Sequence, residues 1–342
     1  MQLGESTVRH SALDLSRFLA ALVVFVGHFV WFDDRLASWR EFNFLELFRT
    51  GNQSVHYFFA LSGFVLSIST SRINANWFLA RLARLMPVYV ICFVSPLIFL
   101  QIMAPEEIDS YSRIGLLLGL IGIQAAFVEY YMVGANSPLW SLSVELWLSF
   151  VLLFLNRLNK NYLLVLMAIV CEVINHLIFQ PVLNGLTFFL IGILIHRLRS
   201  LNHIHKPRFN LVKYTLGFLV SMYWIIFPLI LELEKSNRII DLLGVTTTLL
   251  FFSKIHLKGT MQKIAFQLGA RSYSLYASHG PLLRVHSEIF DEFWKNSLSE
   301  FQIAIYVVTC LIVIAIGTEI IYRFVEMPAI NLARNLRRSK KY

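Results

Sequence analysis

Apolar segments recur at 12–32, 53–71, 86–104, 114–133, 138–156, 162–180, 183–197, 211–231, 238–254, 272–288 and 302–325, and this recurrence constrains the fold more than any other feature of the chain. A hydrocarbon core about 30 Å thick takes about 20 helical residues to cross, so most of these runs approach crossing length. Lipid offers backbone groups no hydrogen-bond partner, which leaves helices or closed barrels. The runs are too long for barrel strands, so the expected fold is all-α, a polytopic membrane bundle over 1–342 with no soluble domain. Composition agrees: 57% of residues are apolar and 15% charged, against about 45–50% and about 25% in soluble chains. The net charge of +9 is therefore read by position, as orientation, and not as a nucleic-acid surface.

Basic residues mark cytoplasmic loops. They gather at Arg72, Arg81 and Arg84, along His196–Arg208, at Lys254, Lys258, Lys263 and Arg271, and along Arg334–Lys341. The acidic loops Pro105–Asp109 and Ser287–Glu300 belong outside. If all the segments crossed, Arg157 and Lys160 would lie outside and the later loops would invert. Segment 114–133 begins with Gly115, Gly119 and Gly122 and ends with Gln124, Glu129, Tyr130 and Tyr131, which suits a re-entrant or interfacial piece. The expectation is about ten crossings with both termini cytoplasmic. The first run is long and lacks a small-residue cleavage pattern, so it is expected to stay as its own insertion signal. Cys92, Cys171 and Cys310 each sit in a separate apolar run and read as small hydrophobes, with neither metal nor disulfide spacing.

Charges inside these runs carry the functional signal. The first holds Asp14, Arg17 and His28; Arg17 and His28 are three turns apart on one face, about 16 Å along the axis. Such groups face protein, water or the headgroups. Arg17 is either a snorkelling anchor or part of a polar stripe along a cavity. Ser62-Gly63 lets another backbone approach, for packing or for function. Arg81 and Arg84 share a face before Pro87, which suits the first turn of the next span; they are positive-inside anchors or a fork for phosphates. Glu145, beside Ser141 and Ser143, needs a partner in the membrane, and the obvious one is on the first helix. Asp241 and Glu319 read as structural pairs. Tyr273, Ser274, Tyr276 and His279 cluster before Pro281, which is expected to break the helix; Arg284 and His286 read as interface anchors.

In this order the elements resemble the acyltransferase 3 family of integral-membrane O-acyltransferases. Arg17, ten residues and His28 match its first motif. Phe58, Phe59, Ser62, Gly63 and Phe64 match its Phe-Phe-x-x-Ser-Gly-Phe, and Arg81, Arg84 and Pro87 its Arg pair. Trp140 to Glu145 (Trp-Ser-Leu-Ser-Val-Glu), Ser272 to Tyr276 with His279, and Glu326 with Pro328 complete the set, spread over nearly the whole chain. The Glu box departs at Leu146, Trp147 and Leu148, and the tyrosine–histidine stretch at Ala277-Ser278.

The resemblance implies a bacterial inner-membrane enzyme using acyl-CoA, usually acetyl-CoA, as co-substrate. It implies no permanently bound cofactor and no metal. The acceptor it implies is a hydroxyl of a carbohydrate or glycolipid of the cell envelope, exopolysaccharide or lipopolysaccharide. Arg81 and Arg84 are expected to hold coenzyme A phosphates. His28 is the expected base, having a reference pKa near 6.5. Glu145 is expected to orient it and Arg17 to steer the donor or stabilise the oxyanion. Asp14, Ser62, Trp140, Ser141, Ser143, Tyr273, Tyr276 and His279 are expected to line the substrate pocket. Buried Arg, His and Glu in a bundle also describe a proton-coupled transporter or sensor, although an internal repeat is lacking. No feature of the sequence specifies an oligomer.

Overall fold

The computed structural model describes residues 11–31, 33–68, 75–155, 157–158, 160–201, 209–226, 238–294 and 299–338. Arg72, the 202–208 part of the basic run, the 227–231 end of the eighth segment and the 339–341 part of the tail lie outside the described residues. Among the described residues there is no strand.

The helices are α1 Ser11–Trp31, α2 Gly51–Ser67, α3 Ala75–Met103, α4 Pro105–Asp109, α5 Arg113–Leu120, α6 Leu139–Leu155, α7 Asn161–Leu177 and α8 Pro181–Leu201. They continue as α9 Phe209–Ser221, α10 Arg238–Lys254, α11 Gly259–Phe293, α12 Glu300–Ile321 and α13 Met327–Arg338. Two 3-10 helices, Asp34–Glu41 and Asn43–Arg49, join α1 to α2. Ser11–Trp31, Asn76–Met103, Pro181–Leu198 and Glu300–Arg337 are long and apolar enough to cross a membrane. The chain is a membrane protein; these four spans, found among the described residues, do not establish the ten crossings expected, and α6 and α7 are apolar but only 17 residues each. α5 has eight residues, about 12 Å of helix, too short to cross. Gly122, at φ +73°, turns the chain after it. Ser143 on α6 and Tyr89 on α3 then tie the turn down by donating to Gly122 O at 2.8 Å and Gly119 O at 2.7 Å.

α1 lies at the centre, packed on α2 and α11, while α2 packs along α8. Glycines bring these axes close. A Cβ on Gly63 would sit 2.1 Å from Phe189 O, one on Gly192 1.9 Å from Ala60 O, and one on Gly269 2.5 Å from the Cβ of Asp14. This is the small-residue packing that dense contact in lipid requires. α12 turns Val308, Leu311, Ile312 and Ile316 outward, as a lipid-facing helix does.

The two proline expectations are corrected. Pro87 is inside α3, not at its first turn, and α11 runs unbroken through Pro281. A membrane helix tolerates proline where neighbours satisfy the carbonyl it frees. Pro281 frees Ala277 O and Pro96, also inside α3, frees Cys92 O. Both oxygens accept from one amide, Asn136 Nδ2, at 2.9 and 3.0 Å. Between α12 and α13, Tyr322–Glu326 widens into a π turn ahead of Pro328.

Candidate active site

Arg17, Ser62, Arg81, Arg84, Glu145 and Tyr273 face one cavity of about 140 Å³ between α1, α2, α3, α6 and α11. Arg81 is held on two sides: its Nε donates to Ser149 Oγ at 2.5 Å and its NH2 to Glu145 Oε1. Ser62 Oγ donates to the same carboxylate oxygen at 2.9 Å. Arg17 pairs with Asp14 at 3.6 Å. Arg84 is exposed and makes no hydrogen bond or ion pair among the described residues. Its strongest attractive charge is Glu326, which is 1% exposed and accepts from Ser274 Oγ at 2.6 Å. Three guanidiniums thus share a small inner cavity with one carboxylate, and two of them, Arg17 and Arg84, make no hydrogen bond among the described residues.

The wall at the far end of this cavity contains the histidines. Tyr276 lines the cavity, hydrogen-bonds Ser141 Oγ at 2.7 Å and meets Phe58 edge-on at 5.2 Å. One turn further along α11, His279 is wholly buried, with Nδ1 2.7 Å from Tyr276 O and Nε2 3.2 Å from His28 Nδ1. His28 Nδ1 is also 2.9 Å from Val24 O. A carbonyl oxygen only accepts, so in the neutral pair both Nδ1 atoms carry the proton. His279 Nε2 then accepts from His28, and His28 Nε2 holds a lone pair, as a general base requires.

His28 lines a second, larger cavity of about 590 Å³, beyond the wall and near the C-terminal end of α1. Asp33, Asp34, Arg35, Asn136, Arg284 and Asp291 line it too. Arg35, outside the spans, is partly buried, which lowers its pKa; hydrogen bonding and charge from Asp33, with Tyr306 and Asp291, raise it above the ordinary arginine value.

These contacts revise several sequence expectations. Glu145 does not orient His28: its partners are Ser62 and Arg81, and the two residues line different cavities. Arg81 lies within α3 facing α6, so the intramembrane carboxylate finds its cation there. Asp14, Trp140, Ser143 and His279 line neither cavity, His279 being wholly buried behind Tyr276 and His28. Asp14 packs on Gly269, Trp140 meets Phe59 and Tyr131 edge-on at 6.2 and 5.9 Å, and Ser143 anchors Gly122. Arg284 and His286 are not simple anchors: Arg284 donates to Glu107 at 2.7 Å, and His286, 7% exposed, bonds Thr309 at 2.9 Å. Asp241 accepts from Tyr223 at 3.1 Å and Glu319 from Arg271 at 2.5 Å, both structural pairs. Asn136 and Glu326 were not among the expected site residues. Pro96 and Pro281 signal carbonyls in need of a donor, but not that Asn136 supplies it.

The comparisons fit this arrangement. The family model of an acyltransferase domain, acyltransferase 3, matches residues 10–321, from the start of α1 to the end of α12. Neither the curated proteins nor the solved structures gave a match. The chain is a membrane protein of the acyltransferase 3 family, and the two cavities and the His28–His279 pair lie inside its acyltransferase domain.

Proposed function

We propose that the protein transfers an acyl group, most simply acetyl, from acyl-CoA on the cytoplasmic side of a bacterial inner membrane to a carbohydrate or glycolipid hydroxyl on the other side. The observation that carries this reading is the pair of cavities. A cationic one containing Arg84 and a larger one containing His28 are separated by Tyr276, which lines the first, and by His279, which lines neither and reaches His28. Coenzyme A is polyanionic, and Arg84 with Arg17 offers its phosphates a binding place while Glu145 holds Arg81 in position. At about 140 Å³, the inner cavity is below the roughly 300–1,000 Å³ that encloses a drug-sized ligand. It suits the thioester arm and a short acyl group, with the nucleotide at its mouth.

In the step we propose, the acceptor O–H gives its proton to His28 Nε2 and its oxygen attacks the thioester carbonyl carbon. The tetrahedral intermediate collapses, the C–S bond breaks, and the departing thiolate takes the proton from His28. His279 Nε2, as hydrogen-bond acceptor, holds the His28 ring and its tautomer through this cycle. An acyl-histidine intermediate is the competing route.

Mass analysis of cell-envelope glycans with the protein, without it, and with His28→Ala tests the reading. The expected result is one acyl increment present only with the unaltered chain; its survival in His28→Ala excludes His28 as the base. Quenching with labelled acyl-CoA in the absence of acceptor separates the routes, because label on His28 establishes the covalent one.

A further inference from the structure

α13 brings a further cation toward the inner cavity. α12 has 22 residues, about 33 Å of helix, enough by itself to cross a hydrocarbon core of about 30 Å. α13 follows it and packs along α3. Its packed face is one stripe: Glu326 at 1% exposed, Ala329 and Ala333 at 4% and 6%, and then Arg337, which is exposed. Glu326 and Arg337 are eleven positions apart, three turns or about 16 Å, so both lie on the face that α13 turns to α3. The two alanines let the helices approach closely, and the arginine stands beyond them.

Arg84 of α3 lies alongside this stripe. Glu326 attracts it at one end, and Arg337 at the other end feels its repulsion. Both guanidiniums are exposed, and neither makes a hydrogen bond or ion pair among the described residues. Other arginines of the bundle are committed: Arg35 to Asp33, Arg238 to Glu172, Arg271 to Glu319 and Arg284 to Glu107. Two neighbouring cations without a counter-ion repel, and a polyanion between them turns that repulsion into two charge-assisted contacts. Arg84 also lines the inner cavity, whose lining along α2 runs from Phe58 to Leu66, eight positions or about 12 Å. A pantetheine arm extended along that length leaves the nucleotide outside, with its diphosphate at Arg84 and its 3′-phosphate further out. The 3′-phosphate is a monoester, which carries about 1.5–2 negative charges at neutral pH and three acceptor oxygens, a strong partner for a guanidinium.

We infer that Arg337 on α13 binds the ribose 3′-phosphate of acyl-CoA, and that this contact makes the protein prefer coenzyme A over donors lacking that phosphate. This rests on the acyltransferase reading and adds to it a phosphate site outside residues 10–321, which the family model matches.

The test crosses a change in the donor with a change in the residue, using the full chain in nanodiscs of zwitterionic lipid. KM is measured for acetyl-CoA and for acetyl-3′-dephospho-CoA, in the unaltered chain and in Arg337→Gln. The unaltered chain should show a KM about tenfold lower for acetyl-CoA. Arg337→Gln should raise the acetyl-CoA value by about tenfold and close the gap between the donors. Its unfolding temperature should hold, since the side chain is exposed and breaks no bond among the described residues. Repeating the series with anionic lipid separates a lipid headgroup from the coenzyme as the source of the phosphate. Equal KM for both donors in the unaltered chain overturns the inference, as does an effect of Arg337→Gln that is the same for both donors or present only with anionic lipid. Equilibrium binding of coenzyme A and 3′-dephospho-coenzyme A is followed on the same samples. A tenfold gap in binding without any acyl transfer refutes the acyltransferase reading and leaves the phosphate site standing. Transfer from both donors alike does the reverse, and binding of neither overturns both.

Discussion

Glu145→Gln separates two accounts of the intramembrane carboxylate. If Glu145 oriented His28, as its position in the sequence invites, its loss would resemble removal of a triad acid, with kcat falling about 10⁴-fold. The structure gives it another task. Its oxygen accepts from Arg81 and from Ser62 at 2.9 Å, with the side chains of Arg81 and Glu145 only 10% and 20% exposed. Removing one partner of a buried pair costs about 3–5 kcal/mol. Here the partial exposure of Glu145, the remaining bond from Arg81 to Ser149 at 2.5 Å and the glutamine oxygen reduce that to about 1.5–3 kcal/mol. Expressed in donor binding, this corresponds to a rise of about 10- to 100-fold in KM for acyl-CoA. kcat at saturating donor should change by less than about threefold, because His28 keeps Val24 O and His279. The assay is steady-state transfer to a fixed saturating acceptor with acyl-CoA varied, together with thermal unfolding in detergent. The double variant Arg81→Met, Glu145→Leu should recover most of the stability but not the donor affinity. A fall in kcat of about 10³-fold or more with unchanged KM would refute the assignment and restore the triad.

Arg84→Ala should raise the donor KM by about tenfold or more without lowering the unfolding temperature, since it breaks no bond among the described residues; loss of stability would argue for a structural cation. Its effect should shrink at high salt, as expected for an exposed cation meeting phosphate. Gly192→Ala puts a methyl group 1.9 Å from Ala60 O, so α2 must move by about 1 Å, a displacement able to lower kcat by up to about 100-fold. Wild-type turnover in that variant would show that α2 does not position the site. His279→Gln should lower kcat by about 10-fold or more and shift the pH–rate profile while both KM values hold; an unchanged profile would remove His279 from the proton path.

The sequence carries one part of this molecule more openly than the other. Apolar runs and intramembrane charges are local features, and they sufficed for a helical membrane bundle with Arg17, Arg81, Arg84 and Glu145 as its marked residues. Pairing is not local. The carboxylate at position 145 was expected to find its partner on the first helix, and only the packing of α3 against α6 brings Arg81 to it instead. Trp140 and Ser143 share the Glu145 box yet point elsewhere, because successive helical residues face different neighbours. The prolines misled for a related reason: a break is expected from the backbone alone, whereas Asn136, far away in sequence, removes its penalty. Segment 114–133 was legible as something other than a span because its glycines interrupt a helical pattern within one turn or two.

The central claim is that donor and acceptor arrive from opposite faces and meet at His28. Proteoliposomes with the protein in one orientation test it most directly, with labelled acetyl-CoA confined to one side and a glycoside acceptor to the other. The account predicts transfer only when acetyl-CoA is on the face that bears Arg84 and the glycoside is on the face that opens to His28. Equal transfer with both substrates confined to one face would contradict it.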